Sequence, residues 1–230
     1  MFEFKEAELA EARRIVSCLE LPAEFGTDAD LDLSDIECQL EDVVNGDYFV
    51  SCGISKAVII IEDLSFVIKI PFNGHWYSDW NSDTDEFEEH FEHFRYANDV
   101  AADDYCKDEL DNIILIKKSG YGCFVPDMIY LTTVSGFPIY IQEKVVPKNE
   151  QREDDVNPTA NSLAEARAGG YWDLEWAATA IDMYGLTFFQ NFMAWADRNC
   201  RAVMSDLHDG NYGYDMSGRP VILDVSGFRD

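Results

Sequence analysis

The stretch that decides how this chain is read is Ser205-Asp206-Leu207-His208-Asp209-Gly210-Asn211, followed at once by Tyr212-Gly-Tyr, the turn Asp215-Met-Ser-Gly-Arg219 and the apolar return Pro220-Val-Ile-Leu-Asp224. Asp, Ser and Gly between two runs of β-forming residues are turn chemistry, so this segment is expected to fold as a hairpin. A hairpin lays its second strand beside its first, which brings Asp224 back next to the loop that ends in Asn211. The neighbourhood then holds a carboxylate at Asp206, an amide oxygen at Asn211 and a second carboxylate at Asp224. Phosphoryl transfer needs such a set. One carboxylate orients the attacking hydroxyl and accepts its proton, and hard oxygen donors hold magnesium against the phosphates. The plainer alternative is a turn-rich hairpin whose Asp and Asn side chains only satisfy backbone donors.

Working outward, the chain before this stretch is mixed α and β. Three runs rich in β-branched and aromatic residues, Tyr48–Ser51, Ala57–Glu62 and Ser65–Ile70, are separated by turn residues and predict a three-stranded antiparallel meander. Residues 73–85 read as a loop, and a helix is expected from about Thr84 to Tyr105 with Phe87, Phe91, Phe94 and Asn98 on one face. Ile113–Ile116, Phe124–Leu131 and Pro138–Pro147 are further strand candidates. Residues 148–170 read as a charged connection with room for a short helix at Ser162–Arg167, and Leu174–Asn199 as one long helix. Ahead of the meander, Leu9, Ala12, Ile15, Val16 and Leu19 recur at helical spacing within Phe4–Leu19. A second helix over Ser34–Val44 would take Ser34 as its N-cap, with Glu37 completing a capping box.

Asp206-Leu-His-Asp-Gly-Asn211 resembles the catalytic loop of protein kinases and of the related aminoglycoside and choline kinases, and Leu223-Asp224-Val-Ser-Gly227 resembles their metal-binding element. Upstream, Val67-Ile-Lys69-Ile resembles the strand that carries the phosphate-contacting lysine, and Ile141-Gln-Glu143-Lys-Val145 resembles the inter-lobe hinge. The likeness spans roughly residues 45–227 and comes nearest to the compact early serine/threonine kinases of T7-like bacteriophages. It implies an α+β, bilobal kinase-like fold: a helical extension over 1–44, an antiparallel-sheet N-lobe with hinge over 45–147, and a minimal helical C-lobe over 148–230.

The resemblance also implies the site. Asp206 would be the catalytic base, Asn211 and Asp224 the Mg2+ ligands, and Lys69 the contact to the ATP phosphates. Glu92, or Glu88 one turn before it, would pair with Lys69, and backbone groups of Glu143 and Val145 would bind adenine. Gly53, Ser55, Lys56 and Val58 would form the phosphate-covering loop, reduced to Ser51-Cys-Gly53-Ile-Ser55-Lys56-Ala-Val58, with serine and lysine where glycines are usual. Met204-Ser205 stands where protein kinases often carry His-Arg, and no activation segment follows Asp224. Switching by loop phosphorylation is therefore not expected.

Bulk composition sets the partners. The chain has 230 residues, 47% hydrophobic, which suits a folded domain, and a formal charge of -28. Such a charge repels nucleic acid and anionic membrane and favours cationic protein surfaces. Six cysteines lie scattered with no C-x-x-C pair, and the acidic start Met1-Phe-Glu-Phe-Lys-Glu is unlike a signal peptide, so a cytoplasmic protein is expected, in a host cytoplasm if phage-encoded. The function expected is an ATP- and Mg2+-dependent serine/threonine protein kinase acting on basic host proteins. The alternatives are an acidic kinase-fold binding protein or inhibitor with little activity, and a small-molecule kinase.

Overall fold

The computed structural model describes residues 2–21, 33–52, 56–71, 75–81, 86–92, 104–148, 157–200 and 210–225. It is an α+β protein with six α-helices and antiparallel sheet among these residues. The chain divides into two compact units, Met1–Cys106 with Met128–Gln142, and Lys107–Asp127 with Glu143–Asp230. Among the described residues no helix is long and apolar enough to cross a membrane.

The first unit begins with α1 (Glu6–Ser17) and α2 (Leu33–Glu41). The apolar stripe of α1 is buried as its spacing predicts, through Leu9, Ala12, Ile15 and Val16. The second helix begins at Leu33, so Ser34 lies inside its first turn instead of capping it. The meander is present as β1 (Tyr48–Cys52), β2 (Lys56–Ile61) and β3 (Phe66–Pro71), and with β6 (Met128–Val134) and β7 (Phe137–Glu143) it forms a five-stranded sheet of order β1-β2-β3-β7-β6. Alternation along the strands gives the sheet two different faces. Ala57, Ile59, Ile61, Phe66, Ile68, Ile70, Phe137, Ile139 and Ile141 join the apolar residues of α1 and α2 in one core. Both helices are thus part of this unit's hydrophobic core. At the turn between β2 and β3, the Glu8 carboxylate of α1 accepts from the Ser65 N–H at 3.0 Å and also from its hydroxyl.

Two expectations fail in this region. Residues 75–81 and 86–92 are not loop and helix but the strands β4 (His75–Asn81) and β5 (Glu86–Glu92) of a hairpin. Phe87 and Phe91 are four apart, a spacing that suits one face of a helix and one face of a strand equally. The register sets Trp76 opposite Phe91 and Trp80 opposite Phe87. Phe94 and Asn98 lie outside the described residues. Ile113–Ile116, expected as a strand, instead belongs to the helix α3 (Tyr105–Lys118). Cys106, Glu109, Ile113 and Ile116 are buried at helical spacing, while Ile114 and Leu115 are exposed.

The second unit carries α3 from Lys107 onward, the helices α4 (Ala160–Gly169), α5 (Leu174–Tyr184) and α6 (Leu186–Asn199), and a small sheet of β8 (Val145–Pro147), β9 (Tyr212–Asp215) and β10 (Pro220–Ile222) in the order β10-β9-β8. The single long helix expected over 174–199 is two helices that break at Gly185, whose φ of 85° and ψ of 146° lie outside the helical region and suit only glycine. Hydrogen bonding runs through the break, since Gly185 N–H donates to Ile181 at 2.8 Å and its carbonyl accepts from Phe189 at 3.1 Å. Phe124, in a short 3-10 turn over Gly122–Phe124, stacks on Phe192 with ring centroids 4.0 Å apart. Trp176 packs against Phe189 and Tyr212 to complete the aromatic core of this unit.

Candidate active site

The hairpin predicted from turn chemistry is observed, and it brings Asn211 and Asp224 together. Asp215 closes the turn: its Oδ1 accepts from the Ser217 N–H at 2.8 Å, the Ser217 hydroxyl at 2.7 Å and the Arg219 N–H at 2.9 Å. Pro220 then pairs with Tyr214 and Ile222 with Tyr212. Just beyond the paired residues the Asn211 carbonyl accepts from Leu223 N–H at 2.8 Å and from Asp224 N–H at 3.4 Å. Asn211 and Asp224 are therefore neighbours through their backbones, both partly exposed. The segment after Asp224 is tied to α3, where the Asn112 side-chain amide donates to the Val225 carbonyl at 2.6 Å. On the other side β9 is anchored to the start of α5, through Tyr212 hydroxyl to Asp173 at 3.0 Å and the Trp176 indole to the Gly213 carbonyl at 3.2 Å.

The segment Glu143–Val145, expected to act as a hinge, leads into the same small sheet. Val145 opposes Asp215 in the β8–β9 ladder. Glu143 N–H donates to the Asp127 carbonyl at 2.8 Å, and the Glu143 carboxylate accepts from the Asp127 N–H at 3.0 Å. That carboxylate also binds Arg219, whose guanidinium joins Glu143 at 2.8 Å and Asp215 at 2.6 Å. Burial alone would raise the Asp215 carboxyl, but hydrogen bonds from Ser217 and Arg219 outweigh it and hold the group below the usual carboxylate range. Burial alone would lower the Arg219 guanidinium, and its two carboxylate partners reverse that.

In the first unit, Lys69 sits in β3, 5% exposed, directly opposite Val58 of β2. Lys56 opposes Pro71, so Lys56, Val58 and Lys69 share one face of the sheet, and it is the face turned away from the core formed with α1 and α2. Tyr140 and Gln142 alternate with core-facing Ile139 and Ile141 on β7, the neighbour of β3, and both are buried. The Tyr140 hydroxyl donates to Asp104 at 2.6 Å. Burial first, and then that carboxylate, push the phenol well above its ordinary value.

Other expected residues fall differently. Asp206, Gly53 and Ser55 lie outside the described residues. Glu92 ends strand β5 opposite His75, and Glu88 opposes Asp79, so neither is on the helix expected to supply a partner for Lys69. The helix that follows the sheet strands in chain order is α3, and it carries a carboxylate that sequence reasoning missed, Glu109, at 0% exposure. Its signal was the helical burial period of Cys106, Glu109, Ile113 and Ile116, hidden by the β-branched look of Ile113–Ile116. Comparison with known proteins adds no relative, since no family model and no curated protein matches the chain.

Proposed function

We propose that this chain is an ATP- and Mg2+-dependent phosphotransferase with a two-lobed kinase-like fold, acting on serine or threonine hydroxyls of basic proteins. The observation that carries the proposal is the return of Asp224 to Asn211, whose carbonyl accepts the Asp224 N–H. An amide oxygen and a carboxylate at that point are hard oxygen donors, a set that fits Mg2+. Asn211 and Asp224 would hold the ion, and when bound it neutralises charge on the nucleotide phosphates. Lys69, buried in an apolar strand, supplies a point charge for the phosphates. The Glu143 N–H is committed to Asp127, so adenine would take the Glu143 carbonyl and the Val145 backbone. Asp206 would orient the acceptor hydroxyl and take its proton.

Incubation with γ-labelled ATP and magnesium, alone and with bacterial lysate, tests the activity beside Asp224→Ala. Label transferred to protein by the parent chain and lost in the variant is the expected result. A formal charge of -28 supports a second reading, a protein that sequesters basic partners by charge. Capture of basic proteins that survives Asp224→Ala, with no label transfer, would favour it. Label on cationic small molecules and not on protein would favour a small-molecule kinase.

A further inference from the structure

We propose that Arg219 is a positioning residue for the nucleotide, fixing the adenine-binding hinge at Glu143–Val145 to the hairpin that carries Asn211 and Asp224. This rests on the nucleotide-binding reading above. The guanidinium reaches four acceptors: Glu143 Oε2 at 2.8 Å, Asp215 Oδ2 at 2.6 Å, the Val125 carbonyl at 3.1 Å and the Cys123 carbonyl at 3.4 Å. These belong to three segments far apart in the chain: the hinge, the 3-10 turn region before β6, and the β9–β10 turn. The side chains of Glu143 and Asp215 are 8% and 7% exposed, against 20% for Arg219, so the cluster sits largely out of water, where planar and forked donors outperform a point charge.

Closing the turn does not need this arrangement. Asp215 Oδ1 already collects both N–H donors and the Ser217 hydroxyl, and the Arg219 N–H, not its side chain, is one of them. What the guanidinium adds is the tie to Glu143, whose carboxylate in turn holds Asp127. The hinge is thus fastened to the hairpin twice, by the Val145–Asp215 backbone pair and by Arg219. From Asp215, β9 runs back to Asn211. Four steps at about 3.3 Å set roughly 13 Å between the adenine end and the metal end. A ligand that spans both ends reads this spacing, whereas one that occupies only the metal end does not.

The full-length chain is titrated with Mg2+–ATP and with Mg2+–tripolyphosphate, which lacks adenine, by calorimetry. Arg219→Lys keeps the charge and removes the fork. Arg219→Met combined with Glu143→Gln removes both charges of the tie, so that Glu143 is not left as an unpaired carboxylate, while Asp215 keeps its three Oδ1 donors. Both variants are expected to weaken Mg2+–ATP about tenfold or more while leaving tripolyphosphate unchanged. Equal weakening of the two ligands would assign Arg219 a general structural role and overturn the proposal. Undiminished ATP binding in both variants would overturn it too. A parent chain that binds ATP no better than tripolyphosphate would refute the hinge role but leave the metal site standing. A parent chain that binds neither overturns the nucleotide reading and this proposal together.

Discussion

Gly213→Ala is expected to damage the small sheet severely, although glycine to alanine is usually mild in a strand. Gly213 is not needed for an unusual φ; it is needed for space. A Cβ at this position would lie 2.0 Å from the Val146 carbonyl oxygen and 2.9 Å from the Pro147 Cα, both backbone atoms of β8. Restoring ordinary contact at 3.4 Å or more means parting β8 and β9 by about 1.4 Å, enough to break ladder hydrogen bonds. Overpacking of this kind costs about 1–3 kcal/mol, and each lost bond about 0.5–1.5 kcal/mol. Alanine recovers only about 0.5–1 kcal/mol of backbone entropy. A net loss of about 2–3 kcal/mol follows, or roughly 5–10 °C in melting temperature for a chain of this size. Thermal melts followed by tryptophan fluorescence suit the question, because the Trp176 indole donates to the Gly213 carbonyl. An unchanged or raised melting temperature would show that β8 and β9 do not approach as closely as stated, and would remove the backbone link between Val145–Pro147 and the hairpin.

Gly185→Ala should also destabilise, for the opposite reason: nothing lies within 4 Å of an added Cβ, but the φ of 85° with ψ of 146° is closed to alanine, at a cost of about 1–3 kcal/mol. Urea unfolding that shows no loss would mean that the α5–α6 junction relaxes freely. Acid should erode stability from about the ordinary carboxylate values downward. Asp215, Asp182 and Glu8 all have folded-state pKa values below their ordinary 3.8, 3.8 and 4.5, so their contribution is complete above those values and is lost as pH falls through the folded ones. In each case burial opposes the shift and hydrogen-bond donors outweigh it: Ser217 and Arg219 for Asp215, Ser162 and Thr159 for Asp182, Lys5 and Ser65 for Glu8. Asp215→Asn should flatten the low-pH limb of a stability profile measured between pH 2 and 6, and an unaltered limb would contradict the assignment.

Local chemistry made part of this molecule readable. The hairpin over 212–222 follows from Asp215 and its near neighbours, whose bonds span two to four residues. The stripe of α1 and the three strands of the meander likewise carry their period in adjacent residues. Misreadings arose where one pattern fits two periods, as with Phe87 and Phe91, or where composition outweighed burial, as with Ile113–Ile116. Gly185 read as an ordinary helix interior because its backbone angles leave no mark in sequence. The role of Arg219 was out of reach for another reason. Its side-chain partners Glu143, Val125 and Cys123 lie 76, 94 and 96 residues away, and nothing in a turn sequence names them. Lys69 was placed correctly in its strand because an apolar run marks β3 on both sides of it.

The proposed Mg2+-binding role of Asn211 and Asp224 is tested most directly by calorimetric titration of Mg2+–ATP into the parent chain, Asn211→Ala and Asp224→Ala, with melting temperatures recorded alongside. A nucleotide-binding phosphotransferase predicts saturable binding to the parent, and binding weakened at least about tenfold in each variant without a matching loss of thermal stability. Binding of equal strength in all three proteins, or none in the parent, would contradict it.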